Sequence, residues 1–331
     1  MLDVAIIGAG LAGIHCGQQL QAKGLKVALF DKSRGIGGRL ATRRVADQSL
    51  DHGLSYWEIG GEHTAALTEK LTALGFLQPW SVATTASVDP KDWQTLVGEH
   101  RWMAPGGMTA IAKYLAQDLV IHRGQQLTTL QPMADHWVLI FAQGETVTAK
   151  QVVLALPLPQ VITLTYSFIT VRDRPPEVFY DPALSLMVGY GGLNLDFPWQ
   201  GLHLTKHPLW RTISREGEKR SPSNMTLVCQ TTGSFASAYL DRADLAPVAS
   251  QLLENLQTLF HLPQPLWWQI HRWRYAIPKN SSGQAYYRFS TSVPLLACGD
   301  WCFGHGIEGA IASGLATATF LLDSLNKPTL P

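Results

Sequence analysis

The chain has 331 residues, with 26 Lys and Arg against 25 Asp and Glu, and this near-neutral balance gives no bulk electrostatic argument for nucleic acid or an anionic membrane as partner. Its length and apolar content allow a sizeable core in one large or two ordinary domains, and no apolar run reaches membrane-spanning length, the nearest being the 13 residues from Ala310 to Leu322. The start lacks the basic flank of a signal peptide, so a soluble cytoplasmic protein is expected.

Val4 to Ile7 is a short apolar run, the pattern of a parallel strand buried on both faces. Gly8, Gly10 and Gly13 follow in G-x-G-x-x-G spacing. One glycine allows the sharp turn, one lets backbone amides approach a pyrophosphate, and one lets the next helix pack closely. That helix opens at Leu11 and Ala12, aims its first amides at the phosphates, runs to about Lys23 and stops at Gly24. Val27 to Phe30 makes the second strand. Asp31 at its end, 18 residues past Gly13, can accept from both hydroxyls of an adenosine ribose. Strand, turn, helix and acid agree on a dinucleotide site. A second glycine-rich turn, Arg34-Gly35-Ile36-Gly37-Gly38-Arg39, with Arg43 and Arg44 after it, favours FAD over NAD, because arginines interleaved with glycines can neutralise the pyrophosphate of a longer cofactor.

Asp51-His52-Gly53 comes next, with His52 either facing the cofactor ring or buried and hydrogen-bonded. Tyr56 and Trp57 are candidate pocket walls or ordinary aromatic core. Leu67, Leu71 and Leu74 lie at helical spacing in Thr64 to Leu74, which ends at Gly75. Val82 to Trp102 reads as short strands and turns of a separate layer, and Pro105-Gly106-Gly107-Met108 opens a helix with Met108, Ile111 and Leu115 on one face. Val120 to Leu156 reads as a strand, a hairpin (Trp137 to Ala142, Glu145 to Ala149) and a further buried strand, Val152 to Leu156.

Leu158 to Ile277 has the character of a second domain. Strands at Leu184 to Tyr190, Leu202 to Thr205 and Leu227 to Thr231 suggest an antiparallel sheet, and a helix from about Asp244 to Phe260 carries Val248, Leu252, Leu256 and Leu259 along one face. Gly189 to Gly192, flanked by strands, reads as a turn. Val293 to Cys298 is a last apolar strand, ended by Gly299-Asp300, and Gly309 begins a helix of small residues running to about Asp323. Gly304, Gly306 and Gly309 repeat the phosphate spacing, but only 22 residues follow, too few for a second nucleotide unit. Asp300 is read instead as accepting from a ribityl hydroxyl, and the amides around Ile307, Glu308 and Ala310 as facing flavin N1 and O2, where a helix terminus stabilises negative charge. Of the four cysteines, Cys16, Cys229, Cys298 and Cys302, the last two approach a metal-ligand spacing with His305. No second ligand cluster accompanies them, so reduced structural thiols and no metal are expected.

These motifs resemble the flavin-dependent amine oxidase superfamily, and within it the renalase family. The narrower resemblance rests on GAGLAG with Asp31-Lys32, the D-x-G turn and Tyr56, Ala104 to Gly107, VVLALPLPQ, Phe197-Pro198-Trp199-x-Gly201, Leu262-Pro263-Gln264-Pro265, Arg272-Trp273-Arg274 and Pro294 to Gly299. It implies an α/β fold: a Rossmann-like FAD-binding domain with a β-meander (1–75, 103–160 and 285–331) and an α+β substrate domain on a mixed or antiparallel sheet (76–102 and 161–284). It implies that the acid of the D-x-G turn fixes the arginine loop, that backbone at Gly53 runs under the flavin, and that main chain near Leu127 meets the adenine. The implied cofactor-binding set is Gly8, Gly10, Leu11, Ala12, Gly13, Asp31, Lys32, Arg34, Gly38, Arg39, His52, Gly53, Leu127, Asp300, Ile307, Glu308 and Ala310, holding FAD non-covalently because Cys302 lies inside the closing glycine motif.

The activity implied is oxidation of 2- or 6-dihydro isomers of NAD(P)H to NAD(P)⁺, with dioxygen reduced to hydrogen peroxide. It needs no general base, so none is nominated; stacking, orientation and charge stabilisation suffice. Candidate pocket residues are Tyr56, Trp57, His203, Trp273 and Tyr275, with Arg274, His203 and His271 able to meet a phosphate or carboxamide. Tyr275 and Ala276 depart from the pattern of animal renalases. Two other readings stand beside this one: an FAD-dependent amine oxidase or desaturase acting on another small substrate, and a non-catalytic FAD-binding module.

Overall fold

A computed structural model describes residues 1–45, 47–193, 199–220, 224–304 and 306–326. Phe197, Pro198 and His305, all singled out above, lie outside the described residues. In chain order, β1 (Leu2–Ile7), α1 (Leu11–Ala22) and β2 (Val27–Asp31) lead to a two-stranded ribbon of β3 (Thr42–Val45) and β4 (Gln48–Asp51). After α2 (Glu62–Ala73) come β5 (Gln78–Thr85), α3 (Pro90–Trp93), β6 (Glu99–Met103) and α4 (Met108–Leu115). Next are β7 (Ile121–Arg123), β8 (Leu127–Pro132), β9 (Trp137–Phe141), β10 (Thr146–Leu154) and α5 (Leu158–Thr165). The second half runs β11 (Tyr180–Gly191), β12 (Gly201–Leu204), β13 (Trp210–Arg215), α6 (Glu216–Arg220), β14 (Met225–Thr231), α7 (Gly233–Tyr239), α8 (Ala246–Phe260) and β15 (Trp267–Pro278). It closes with β16 (Tyr287–Arg288), β17 (Leu295–Ala297), α9 (Asp300–Phe303) and α10 (Gly306–Asn326).

The first sheet has the order β16-β17-β10-β1-β2-β7, with β8 and β9 hung on β10 as an antiparallel meander. β1 lies parallel to both β10 and β2 and is covered on both faces, which is why its sequence is continuously apolar. Val4 and Ile6 pack with α1, α4 and α10, while Ala5 and Ile7 pack with Trp137, Phe141 and Val161 on the other side. Each such fully buried Val or Ile contributes about 1.5–3 kcal/mol. The hairpin strand and the buried strand expected at Val152 are one strand. Thr146 to Ala149 pairs antiparallel with β9, and Val152 to Leu154 pairs parallel with β17.

The second sheet, β15-β11-β14-β13-β12-β5-β6, is antiparallel except where β5 runs parallel to β12. One face is apolar: Leu184, Leu186, Ile213, Leu227 and Cys229 meet Val248, Leu252 and Leu256 of α8. On β11 and β14 the alternate positions are Ser185 and Gln230, which pair with each other. Gly189 is inside β11 and not in a turn: a Cβ there would lie 2.3 Å from the Trp267 ring, so the glycine makes room for an indole. The fold is thus α/β, a Rossmann-like sheet with its meander beside a mixed second sheet.

Candidate functional site

In the first glycine turn, Gly8 has φ +107°, and a Cβ would sit 2.3 Å from the Ala155 carbonyl oxygen. A Cβ on Gly13 would lie 2.1 Å from Gly8 O, whereas a Cβ on Gly10 would meet nothing within 4 Å. Two glycines are therefore demanded by the fold and the middle one opens onto free space. α1 begins there without a side-chain cap or an acid in its first turn, so its leading amides remain free for an anion. The second glycine turn lies against the first: Gly37 N donates to Ala9 O at 2.7 Å, and Gly10 bridges Gly37. This cradle fits a dinucleotide pyrophosphate. Leu11 and Ala12 form the helix start, and Gly38 is 3.5 Å from the Gly10 Cα by its Cβ position.

Asp31 accepts from Ala9 N and Ser33 N, both at 2.8 Å, leaving lone pairs for a ribose. A groove of about 490 Å³ is lined by Arg34, Ile121, His122, Arg123, Gly124 and Gln125 next to the paired ends of β2 and β7. Lys32 is exposed, and the Leu127 side chain is buried in the meander core, so only main chain can serve from that position.

Three expected contacts are placed differently. Asp300 is 2 % exposed, and both its oxygens accept from Arg39, Nη1 and Nη2 each at 2.7 Å. Its carboxylate anchors the arginine turn to the start of α9 in place of a ribityl hydroxyl. Arg39 Nη1 also donates to Ala276 O at 3.0 Å, tying in β15. The Glu308 carboxylate turns away from α10 and accepts from Thr64 N and Thr64 Oγ1, both at 2.7 Å, and from His63 N at 3.2 Å. It caps α2, so at this position, as at the buried Ile307 and Ala310, backbone is what the α10 terminus can offer; that helix starts at Gly306, three residues before the expected Gly309. Among the described residues Asp51 makes no bond to the Arg34–Arg39 turn and reaches the arginine stretch only through Thr42, next to Arg43. It accepts from Thr42 Oγ1 (2.7 Å), Met108 N (2.9 Å) and Arg220 Nη2 (2.5 Å), with Lys219 Nζ at 3.4 Å.

Glu216, Lys219 and Arg220 were missed by the sequence reading, although their i, i+3 and i+4 spacing in α6 was a signal for a charge network. Glu216 Oε2 accepts from Asp51 N at 3.0 Å, and its Oε1 meets Lys219 Nζ at 2.5 Å. Burial pushes the Asp51 carboxyl up, but Lys219 and Arg220 outweigh it and hold the group below the usual carboxylate range.

Beside Gly53 the second sheet contributes a ring cluster. His52 is 5 % exposed and donates from Nδ1 to Ala41 O at 2.9 Å, which leaves Nε2 as an acceptor. Its ring centroid is 4.8 Å from His271 and 5.4 Å from Trp273, and those two are 4.7 Å apart. Trp273 Nε1 donates to His52 O at 2.9 Å, and Gln230 Nε2 donates to His52 O and Gly53 O. Arg43 reaches His271 Nδ1 at 3.3 Å and Gln269 Oε1 at 3.4 Å; a guanidinium only donates, so the His271 proton is on Nε2. Burial lowers both histidines to about 4, with His52 and Arg43 adding to the shift at His271, so both are neutral at pH 7.

Trp57 is not a pocket wall. It is fully buried in the core of the first sheet and donates to Thr68 Oγ1 at 2.8 Å. Tyr275 lies edge-on to Tyr180 at 5.4 Å, near the Arg39 anchor. Tyr56 packs on Trp80, Val82 and Met103, and His203 sits half-buried on β12 between Thr84 and Thr212. Arg274, a candidate for phosphate, is 44 % exposed and pairs with Asp241 at 2.7 Å on the outer side. All four cysteines are free and buried, and burial raises the Cys298 thiol to about 12.

The chain matches the flavin-containing amine oxidoreductase family over residues 67–322 and an NAD(P)-binding Rossmann-like domain over residues 6–71. Among solved structures, a protein assigned as a protoporphyrinogen oxidase from Exiguobacterium sp. 255-15 superposes with a TM-score of 0.74 at 13% identity, covering 97% of this chain and 98% of that one. A single-site variant of a putrescine oxidase gives 0.70 at 14% identity (98% and 99% covered). The wild-type putrescine oxidase bound to putrescine gives 0.67 at 15% identity (97% and 99%). No helix among the described residues is long and apolar enough to cross a membrane.

Proposed function

Because the chain belongs to the flavin-containing amine oxidoreductase family, and is thereby an FAD-dependent oxidoreductase, we propose that it oxidises 2- or 6-dihydro isomers of NAD(P)H to NAD(P)⁺. One proton and one dioxygen are consumed per hydrogen peroxide released. Bound FAD supplies the two-electron acceptor. Non-covalent retention, and the division into a discontinuous cofactor domain and a substrate domain, belong to the same proposal. The Gly8–Gly13 turn, Asp31, Arg34 and Gly38 would hold its dinucleotide part, and the backbone at Gly53 and Ile307 to Ala310 its ring.

The observation that carries the reading is the composition of the ring cluster beside Gly53. Neutral His52 and His271 and Trp273, their rings meeting edge-on or tilted, stand with the Gln269 amide and the cationic Arg43 in a surface of aromatic rings to which no carboxylate belongs. Such a surface suits a carboxamide-bearing ring, and its one formal charge disfavours a diamine cation. These residues orient the ring and exclude water, and loss of hydride restores aromaticity without a protein base. The narrower resemblance carried by Leu262 to Pro265 and Arg272 to Arg274 supports the same substrate.

The family match itself favours a second reading, oxidation of an amine or another small substrate. Anaerobic mixing separates the two: dihydronicotinamide isomers should bleach the flavin band and air should restore it with peroxide formed. Turnover of an amine at micromolar concentration, with the isomers inert, would overturn the proposal.

A further inference from the structure

The strand β13 breaks register between Trp210 and Thr212. Trp210 and Ile213 both face α8, Trp210 donating from Nε1 to Asn255 Oδ1 at 2.7 Å, while Thr212 meets Gln230 on the opposite face. A bulge is the geometry that places two successive residues on one side, and here it leaves Arg211 beside Thr212 on the polar face. There Arg211 shares its surroundings with Tyr56, Glu58, Asp181 and, on the adjacent β12, His203. Tyr56 and His203 are two of the pocket candidates that the ring cluster does not include.

Arg211 is half-buried and makes no hydrogen bond or ion pair among the described residues. The acids facing it are engaged elsewhere. Arg101 lies 3.4 Å from Glu58 and 3.1 Å from Glu99, and Lys279 lies 3.7 Å from Asp181. Burial lowers the Arg211 guanidinium against the opposing pull of Tyr56, Asp181 and Glu58. A cation held partly out of water with no partner costs folding free energy unless a ligand supplies one. The guanidinium fork is matched to a phosphate oxyanion.

We infer that Arg211, set on the polar face by the β13 bulge beside Tyr56 and His203, recognises a phosphate-type oxyanion of the substrate. That this anion is the pyrophosphate of a dihydronicotinamide dinucleotide rests on the proposed function, whereas the anion site itself does not. The site gives the enzyme a handle outside the ring cluster. It selects substrates that carry phosphate over amines and over phosphate-free nucleosides.

Calorimetric titration of the FAD-loaded protein tests this, since bound FAD blocks the Gly10 cradle. The probes are inorganic pyrophosphate, NAD⁺ and nicotinamide riboside. Arg211→Gln should weaken pyrophosphate and NAD⁺ by about ten- to hundredfold and leave the riboside unchanged, the loss expected for charge-assisted hydrogen bonds. Arg211→Lys should recover part of the affinity, and Lys23→Gln, an exposed control just past the end of α1, should lose none. No pyrophosphate binding by the wild type, or equal binding by Arg211→Gln, overturns the anion site. Loss of pyrophosphate in the variant, with neither NAD⁺ nor riboside bound by the wild type, upholds the site and overturns the dihydronicotinamide reading instead.

Discussion

In the phosphate turn, Gly13 is constrained by Gly8, five residues away; in the wall opposite, Trp273 donates to the backbone of His52 across 221 residues of chain. The cradle is set by local sterics, in which one atom too many collides with backbone. The wall is set by strand register, which brings β15, β14 and the D-x-G turn together at one seam. Errors in the cradle should therefore act on FAD first, and errors in the seam on folding and on pH response.

The seam should suffer most where its buried charges are unpaired. Lys219 and Asp51 are both without exposure, and Lys219→Met leaves Asp51 and Glu216 sharing Arg220 alone. About 3–5 kcal/mol of stability should be lost, read as a lower midpoint in urea with an unchanged slope. A midpoint equal to wild type would show that α6 is not what closes the seam.

The next effect is a pH dependence. His52 falls from an ordinary value near 6.5 to about 4 on folding. The unfolded chain thus binds a proton that the folded chain rejects, so stability is full above about pH 6.5 and declines as the pH falls toward 4. The loss should approach about 3 kcal/mol for His52 alone. Replacement by glutamine should flatten the stability profile in that window. An unaltered profile would mean that His52 is solvated in the apo protein, and the ring cluster would lose its neutral character.

Two glycines sharpen the contrast on the cradle side. Gly13→Ala places its methyl against Gly8 O and should cost about 1–3 kcal/mol even without FAD. Gly10→Ala meets no protein atom within 4 Å, so the apo protein should melt as wild type while FAD affinity falls about tenfold or more. Flavin-to-protein absorbance ratios and melts of both forms check this pair. Normal FAD binding by Gly10→Ala would move the pyrophosphate elsewhere.

The same contrast explains what could be read before the fold was known. Glycine spacing, the apolar run of β1 and the acid at Asp31 are local rules, and the fold class, the meander and α8 follow from period and turn chemistry. The joining of β10's two halves, the parallel pairing of β5 with β12, and the burial of Trp57 depend on neighbours far along the chain. Arg211 illustrates the limit. Nothing in T-K-H-P-L-W-R-T marks a bulge, because the extra residue is defined only by Gln230 and Thr231 on the partner strand.

Glu308 gives the smallest effect and the finest test. Its place in the last glycine motif suggests a flavin contact, yet its carboxylate satisfies the first amides of α2, two of them at 2.7 and 3.2 Å. Capping and charge at a helix N-terminus contribute about 1–2 kcal/mol, so Glu308→Ala should lower the melting temperature by a few degrees. FAD affinity should stay within about twofold, since only backbone is left to face the ring and alanine keeps that backbone helical. The reverse outcome, flavin loss at unchanged stability, would return the side chain to the cofactor and would mean that this part of the cradle, like the ring cluster, is built by side chains brought together from afar.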